Sequence, residues 1–126
     1  MTVRRGIGRR WIGRSYIAVA LIHALAAFAL YGTQWAAMAG EGLVATADDL
    51  SPRGAAYWFL SFAPALAAIG LLVDAFEARG QAVPMAVPSV LLAALAAMVA
   101  VMPATGAWLL FVPTLALVLR ARSGAR

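Results

Sequence analysis

Cysteine and lysine are absent from this 126-residue sequence, and charged residues of any kind are few. Without cysteine there is no disulfide and no thiolate metal ligand, and the sequence leaves the redox compartment open. Only 12% of the residues are charged, whereas charged residues make up about a quarter of a typical soluble domain. With 64% hydrophobic residues, so short a chain cannot bury its apolar side chains in a water-soluble core. We therefore expect residues 1–126 to form one integral membrane domain.

Four apolar stretches are candidate membrane spans, at residues 11–35, 55–73, 84–102 and 105–119. A bilayer core of about 30 Å needs about 20 apolar residues in a helix, and somewhat shorter helices are tolerated. The last two stretches are joined by so few residues that only a tight antiparallel hairpin fits between them. The sequence thus predicts an all-α fold, a four-helix transmembrane bundle.

The arginines indicate how this bundle is oriented. Nine of the ten lie in the two tails or between the second and third spans, and Arg53 alone lies on the opposite side. Because cytoplasmic loops carry the excess of arginine, we expect both termini in the cytosol and a multi-pass protein of the cell membrane. Arginines that flank apolar spans predict contact with membrane lipids, and without interleaved aromatics they argue against nucleic acid.

The N-terminal stretch has a second interpretation, as a secretory signal. Arginines precede an apolar run, and Ala37-Met38-Ala39 has the pattern of a cleavage site. The apolar run is longer than the roughly 7–15 residues of a signal, which favours a retained span.

The polar loop after the first span carries three of the five acidic residues, Glu41, Asp48 and Asp49. Ser51 followed by Pro52 is typical of a helix start, with serine as the N-cap. The two aspartates would then precede a helix N-terminus, where the helix dipole favours negative charge. Glu41 has no such explanation, and we expect it either to cover the mouth of the bundle or to enter it.

His23, the only histidine, falls near the middle of the first span. An ionisable group at that depth is costly and indicates a functional site. Tyr16 and Gln34 share its helical face, so this face should contact other helices or a cavity. The structural alternative is a neutral imidazole hydrogen-bonded across the bundle. One histidine without cysteine cannot form a metal or haem site alone, so no metal or cofactor is expected.

Three further features lie in the remaining spans. Pro64 and Pro113 each remove a hydrogen bond inside a helix, and the resulting kinks are able to open a pocket. Asp74 ends the second span and is expected as a solvated loop acid or a site residue on the cytosolic side. Ala93 and Ala97 give the third span a small-residue face for close helix packing, within one chain or in a homo-oligomer.

Aromatic residues concentrate at the extracytosolic ends of the spans. An interfacial aromatic belt explains only part of this, because the cytosolic ends carry few aromatics. The excess surrounds the loop that holds Glu41, an arrangement that suits an apolar ligand. We therefore predict substrate-binding roles for Tyr31, Trp35, Arg53, Tyr57, Trp58, Phe62 and Trp108.

Residues 11–35, 53–74 and 102–111 together resemble a family of short bacterial four-span membrane proteins of unknown function. The resemblance covers most of the chain, including the His23 span, the Trp58-Phe59 pair and Asp74. It implies four spans and carries over no catalytic residue. A looser likeness, in size, span count and aromatic and acidic character, is to small membrane-bound terpene cyclases.

These features predict an enzyme that performs acid-initiated cyclisation or isomerisation of a prenyl-like apolar substrate. Protonating an alkene requires a carboxylic acid kept neutral by burial, and aromatic faces stabilise the resulting carbocation. We expect Glu41 to be the acid, with Asp49 or Asp74 as the alternatives and His23 as a second proton-transfer group.

Two other functions remain open on the sequence. A non-catalytic accessory or oligomerising membrane subunit needs only the small-residue faces. A transporter is less favoured, because small four-helix multidrug exporters of similar size rely on a glutamate in the first span and this chain has none there.

Overall fold

The computed structural model describes residues 10–124 of the chain. Within this range the fold is all-α, as predicted, with five helices and no strand. The helices are α1 (Trp11–Leu30), α2 (Gly32–Gly40), α3 (Pro52–Ala78), α4 (Ala86–Val101) and α5 (Trp108–Gly124).

The first predicted span forms two helices. Tyr31, between α1 and α2, has φ −117° and ψ 26°, and the poor helix formers Gly32 and Thr33 follow it. Backbone hydrogen bonds from Tyr31 to Ala27 (3.1 Å) and from Trp35 to Tyr31 (3.0 Å) continue through this point. The prediction of one helix over 11–35 was therefore wrong in detail, and α2 follows α1 after a kink.

Helix length separates the predicted spans into two groups. At about 1.5 Å per residue, α1 with 20 residues and α3 with 27 extend about 30 and 40 Å. With 16 and 17 residues, α4 and α5 extend only about 24–26 Å, less than the bilayer core of about 30 Å. Among the residues described, α1 and α3 are therefore the two helices long and apolar enough to cross a membrane.

The helices pack side by side in the order α3, α1, α5, α4. α1 lies between α3 and α5, and its buried Ile12, Tyr16 and Ala20 form the centre of the core. From α3 and α5 the core receives Leu66 and Leu117. The main neighbour of α4 is α5, so the packing leaves much of the α4 surface uncovered.

Glycine allows α1 and α3 to touch backbone to backbone. A Cβ added at Gly13 would lie 2.4 Å from the backbone nitrogen of Asp74, and one at Gly70 would lie 2.8 Å from the carbonyl oxygen of Gly13. Neither atom is able to move aside without moving its helix. This contact brings the first turn of α1 against the last third of α3.

Local sequence signals fix both ends of α3. Ser51 is the N-cap, as predicted, and its hydroxyl accepts a hydrogen bond from the backbone N–H of Gly54 at 3.0 Å, while Pro52 takes the first helical position. At the other end Gly80, with φ 69°, closes a Schellman motif in which Gln81 N–H donates to the Phe76 carbonyl at 3.0 Å.

Candidate functional site

Among the described residues, the largest group of charged side chains lies where α1 begins and α3 and α5 end. We call this the terminal end of the bundle. Two carboxylates of α3 meet arginines from the start of α1 and from α5 there. We call this group the carboxylate cluster; its members are Arg10, Arg14, Asp74, Glu77 and Arg120.

Glu77 links three helices. It is 5% exposed, its Oε2 accepts a hydrogen bond from the backbone N–H of Gly13 at 2.9 Å, and its Oε1 accepts one from Nη1 of Arg120. Gly13 lies in the first turn of α1, where N–H groups have no partner inside the helix, and α1 has no side-chain cap of its own. The carboxylate of Glu77 therefore caps α1 from α3 and holds the end of α5 by an ion pair.

Asp74, one turn before Glu77, pairs with the start of the chain. Nε of Arg10 donates to its Oδ1 at 3.0 Å and Nη2 of Arg10 donates to Oδ2, while Nε of Arg14 lies 3.8 Å from Oδ1. The side chain is 17% exposed and lies inside α3, so the prediction of a solvated loop acid at the end of a span was wrong. The helix continues past the end of the apolar run, and the arginine pair offsets the charge.

Sequence reasoning missed Glu77 because the predicted second span ended at residue 73, and without Glu77 the roles of Gly13 and Arg120 were missed as well. One signal was present in the sequence: Gly80 is a natural C′ residue, and it places the end of the helix close to residue 78. With the helix extended, Asp74 and Glu77 fall three residues apart and share one face. The arginine partners, 64 and 43 residues away in sequence, had no local signal.

Glu41 and Arg53 form an ion pair at the opposite end of the bundle. Both carboxylate oxygens accept hydrogen bonds from the guanidinium, each at 2.7 Å, and Nη1 of Arg53 also donates to the Thr46 carbonyl at 3.0 Å. The Glu41 side chain is 52% exposed. The hydrogen bonds from Arg53 lower the pKa of Glu41, which keeps the carboxylate charged. This is the opposite of the neutral, buried acid that the sequence predicted.

Asp49 and Asp48 also lie on the surface of this loop. Oδ1 of Asp49 accepts a hydrogen bond from the indole Nε1 of Trp58 at 3.2 Å, and both residues are exposed. Asp48 contributes its backbone, whose carbonyl accepts from the Ser51 hydroxyl at 2.7 Å. The loop is therefore tied to the first turns of α3, and both aspartates precede the helix N-terminus, as predicted.

His23 lies in a small aromatic cluster between α1 and α3. Its ring stacks on Phe59 with 4.1 Å between centroids, and Phe62 and Tyr31 complete the group at 5.8 Å from His23 and 5.5 Å from Phe59 respectively. The Nε2 atom lies 2.8 Å from the Phe59 carbonyl, and because a carbonyl only accepts, this nitrogen carries the proton. The prediction that the His23 face contacts another helix is confirmed.

Tyr16, on the same face of α1, contacts α5. Its hydroxyl donates to Oγ1 of Thr114, which in turn donates to the Leu110 carbonyl at 2.6 Å. Tyr16 is 1% exposed and Thr114 is fully buried, so this is a closed polar contact inside an apolar core. Gln34, the third residue of the predicted stripe, lies in α2 and accepts a hydrogen bond from Thr33.

The predicted aromatic chamber around Glu41 is not formed in the part of the chain that the structure describes. Trp58 and Trp108 are 59% and 54% exposed, and Trp108 donates to the Pro103 carbonyl at 2.9 Å. Trp35 packs on Phe28 with 5.5 Å between ring centroids. Tyr57 is exposed and stands edge-on to Trp58. Trp35, Trp58 and Trp108 therefore contact different neighbours, because helix packing and not sequence proximity sets side-chain directions.

An open groove of about 480 Å³ does lie beside the Glu41–Arg53 pair. The groove is lined by Thr33, Gln34, Ala37, Asp48, Ser51, Pro52 and Arg53. None of the predicted aromatic residues is among them. No group of three or more metal-binding side chains occurs within residues 10–124. The catalytic and substrate-binding roles assigned from the sequence remain predictions.

Comparison with known proteins gives one finding. No curated protein and no solved structure matches the chain. The profile of a family of unknown function, DUF6463, matches residues 8–124, which include both ion-paired ends of the bundle and all five helices. The chain therefore belongs to DUF6463, a family of unknown function.

Proposed function

We propose that this protein is a multi-pass membrane subunit with a structural role, in which the carboxylates hold the helices together and the outer face of α4 binds a second copy of the chain. One observation carries the proposal: Glu41, Asp74 and Glu77 are each engaged by an arginine. Hydrogen bonds from a guanidinium occupy the carboxylate oxygens, so these acids are poorly placed to protonate an alkene.

Burial supports insertion into a membrane. A core helix of a soluble protein is mostly buried, whereas only 28% and 22% of the most apolar 18-residue windows of α1 and α3 are buried inside the protein. The outward residues are large and apolar: Leu21 and Leu25 of α1 are 64% and 72% exposed, and Leu71 of α3 is 62% exposed. Lipid is the solvent that such a surface favours.

The contacts at the terminal end support four crossings. Arg10 with Asp74 and Glu77 with Arg120 hold the start of α1, the end of α3 and the end of α5 together. That is the arrangement a chain of four crossings requires, with both termini on the arginine-rich, cytosolic side. The shorter α4 and α5 then cross with little tilt or with local thinning of the bilayer.

The two faces of α4 differ in side-chain size. Leu91, Leu95 and Met98 belong to the core or pack against it. The opposite face is exposed and carries Ala93, Ala96, Ala97 and Ala100. Since lipid supplies no hydrophobic drive for helix association, small residues that let two backbones approach favour a helix partner at this face. The arginine bias inserts every copy in the same direction, so two α4 helices meet in parallel about a two-fold axis.

Disulfide cross-linking tests the subunit proposal cleanly, because the natural chain has no cysteine. Ala97→Cys places a single thiol on the outer face of α4, and Leu115→Cys places one on the outer face of α5, where the side chain is 47% exposed. On oxidation in native membranes we expect a dimer with Ala97→Cys and a monomer with Leu115→Cys. Monomers from both variants would contradict self-association, and equal dimer yields would indicate random collision.

Acid-initiated cyclisation of a prenyl-like substrate remains the alternative proposal. Glu41 and His23 are the residues to test, because each was predicted to transfer a proton. Membranes that contain Glu41→Gln or His23→Ala are compared with the natural protein on candidate prenyl substrates. Full turnover by both variants would eliminate this alternative, and product formation that depends on either residue would contradict a purely structural role.

A further inference from the structure

A cleft of about 240 Å³ opens at the terminal end, between the turn that follows α3 and the last turns of α5. We call it the α3–α5 cleft. Glu77 and Arg120 form its inner wall, Gln81 lies on the turn, and Ser123 lies on α5. Gly124 closes one side, where an added Cβ would lie 2.9 Å from the Ala82 side chain.

The cleft contains hydrogen-bond donors for which residues 10–124 provide no acceptor. Nη1 of Arg120 donates to Glu77, whereas its Nη2 and Nε have no hydrogen-bond partner within residues 10–124. The side-chain amide of Gln81 likewise makes no hydrogen bond in this range. The Arg120 side chain is 33% exposed and lines the cleft. A guanidinium edge with two parallel N–H groups matches the geometry of a phosphate.

Charge at the terminal end favours an anion. Both oxygens of Glu77 are already occupied, by the N–H of Gly13 and by Arg120, so this carboxylate orients the arginine. Among the described residues of this end, arginines outnumber carboxylates by five to two: Arg10, Arg14, Arg79, Arg120 and Arg122 against Asp74 and Glu77.

We propose that the α3–α5 cleft is a binding site for a phosphate group, with Arg120 and Gln81 as donors and Glu77 as the residue that positions Arg120. The phosphate arrives as the headgroup of an anionic phospholipid or as free phosphate. Basic pockets between helices on the cytoplasmic side of a membrane are suited to anionic headgroups. The lipid source rests on the membrane insertion proposed above, whereas the free-phosphate source does not.

The test uses two variants of the full chain that lower the net charge equally. Ser123→Asp places a carboxylate in the cleft and leaves the Glu77–Arg120 pair intact. Arg122→Gln removes a charge from the same helix but outside the cleft lining. The probe is phosphatidylglycerol, titrated into phosphatidylcholine nanodiscs and counted on the purified protein by native mass spectrometry. Circular dichroism verifies that both variants keep their helix content.

We expect Ser123→Asp to weaken retention of phosphatidylglycerol about tenfold and Arg122→Gln to weaken it much less, because only the first places like charges in contact. Equal weakening would indicate diffuse attraction to the bilayer and would overturn the site, as would no effect of Ser123→Asp. Inorganic phosphate, titrated calorimetrically into the detergent-solubilised chain, separates the two sources. Phosphate binding that Ser123→Asp weakens would support free phosphate as the ligand. No phosphate binding, together with retention of phosphatidylglycerol, would support the lipid headgroup. If the chain fails to enter nanodiscs yet binds phosphate, the result would contradict membrane insertion but support the phosphate site.

Discussion

Replacing Glu77 with glutamine removes a negative charge from a side chain that is 5% exposed, with little change of shape. The amide oxygen still accepts from the Gly13 N–H, whereas Arg120 loses its carboxylate partner. Removing one partner of a buried ion pair typically costs about 3–5 kcal/mol. Because the Arg120 side chain is 33% exposed, water recovers part of that cost. We therefore expect Glu77→Gln to lower the free energy of unfolding by about 2–3 kcal/mol.

Glu77→Ala should cost more than Glu77→Gln. It also leaves the N–H of Gly13 without the acceptor that caps α1, and loss of a helix cap typically costs about 1 kcal/mol. Both variants are measured by reversible unfolding of the purified chain in mild detergent. Their order, with alanine less stable than glutamine, checks the capping role separately from the ion pair.

A double-mutant cycle isolates the ion pair from other effects of each change. The coupling free energy should be about 1 kcal/mol or more when it is measured with Glu77→Gln, Arg120→Gln and the double variant, because the two side chains are in direct contact. The cycle for Glu41→Gln and Arg53→Gln is the matched control, and its exposed pair should couple more weakly. Strictly additive effects at Glu77 and Arg120, or a Glu77→Gln protein as stable as the natural one, would contradict a stabilising ion pair between them.

Three more predictions use the same unfolding measurement. Gly13→Ala puts a Cβ 2.4 Å from the α3 backbone and should lower the free energy of unfolding by about 1–3 kcal/mol or more. Gly32→Ala is the control and should not destabilise the protein, because a Cβ there has nothing within 4 Å. Equal effects of the two changes would contradict the close contact of α1 with α3. Tyr16→Phe should lower the free energy of unfolding by about 1 kcal/mol. Thr114→Val should lower it more, because it leaves the buried tyrosine hydroxyl without an acceptor. The reverse order would contradict this chain of hydrogen bonds. The folded-state pKa of Glu41 is lowered from its ordinary value of 4.5, so its ion pair stabilises the fold above that pH and is lost as pH falls through the lower pKa. The Glu41→Gln protein should therefore lose less stability as the pH is lowered. A stability-versus-pH profile equal to that of the natural protein would contradict the ion pair.

Elements governed by local rules were predictable from the sequence. The apolar runs gave the helices, and Ser51 with Pro52 gave the start of α3. The kink at Tyr31 was not predicted, because the apolar run passes through it without a proline. The end of α3 was missed because hydropathy falls at Asp74, although the helix continues to Ala78 and Gly80 marks its end.

The candidate site was harder to predict because it depends on contacts between distant parts of the chain. Glu41 and Arg53 were both singled out, yet their pairing depends on the path of the loop between them. No local pattern singled out Glu77, although it is the most buried acid among the described residues. Periodicity places a residue on a helix face, but the neighbour of that face is set by packing of the whole bundle.

Labelling of single thiols shows on which side of the membrane each end of the bundle lies, and it tests the proposed membrane insertion most directly. Thr46→Cys and Gln81→Cys each introduce a single thiol, the first in the loop after α2 and the second in the turn after α3. Intact cells are treated with a membrane-impermeant maleimide and compared with permeabilised cells. We expect Thr46→Cys to be labelled in intact cells and Gln81→Cys to be labelled only after permeabilisation. Labelling of both thiols from the same side would contradict a chain that crosses the membrane through α3.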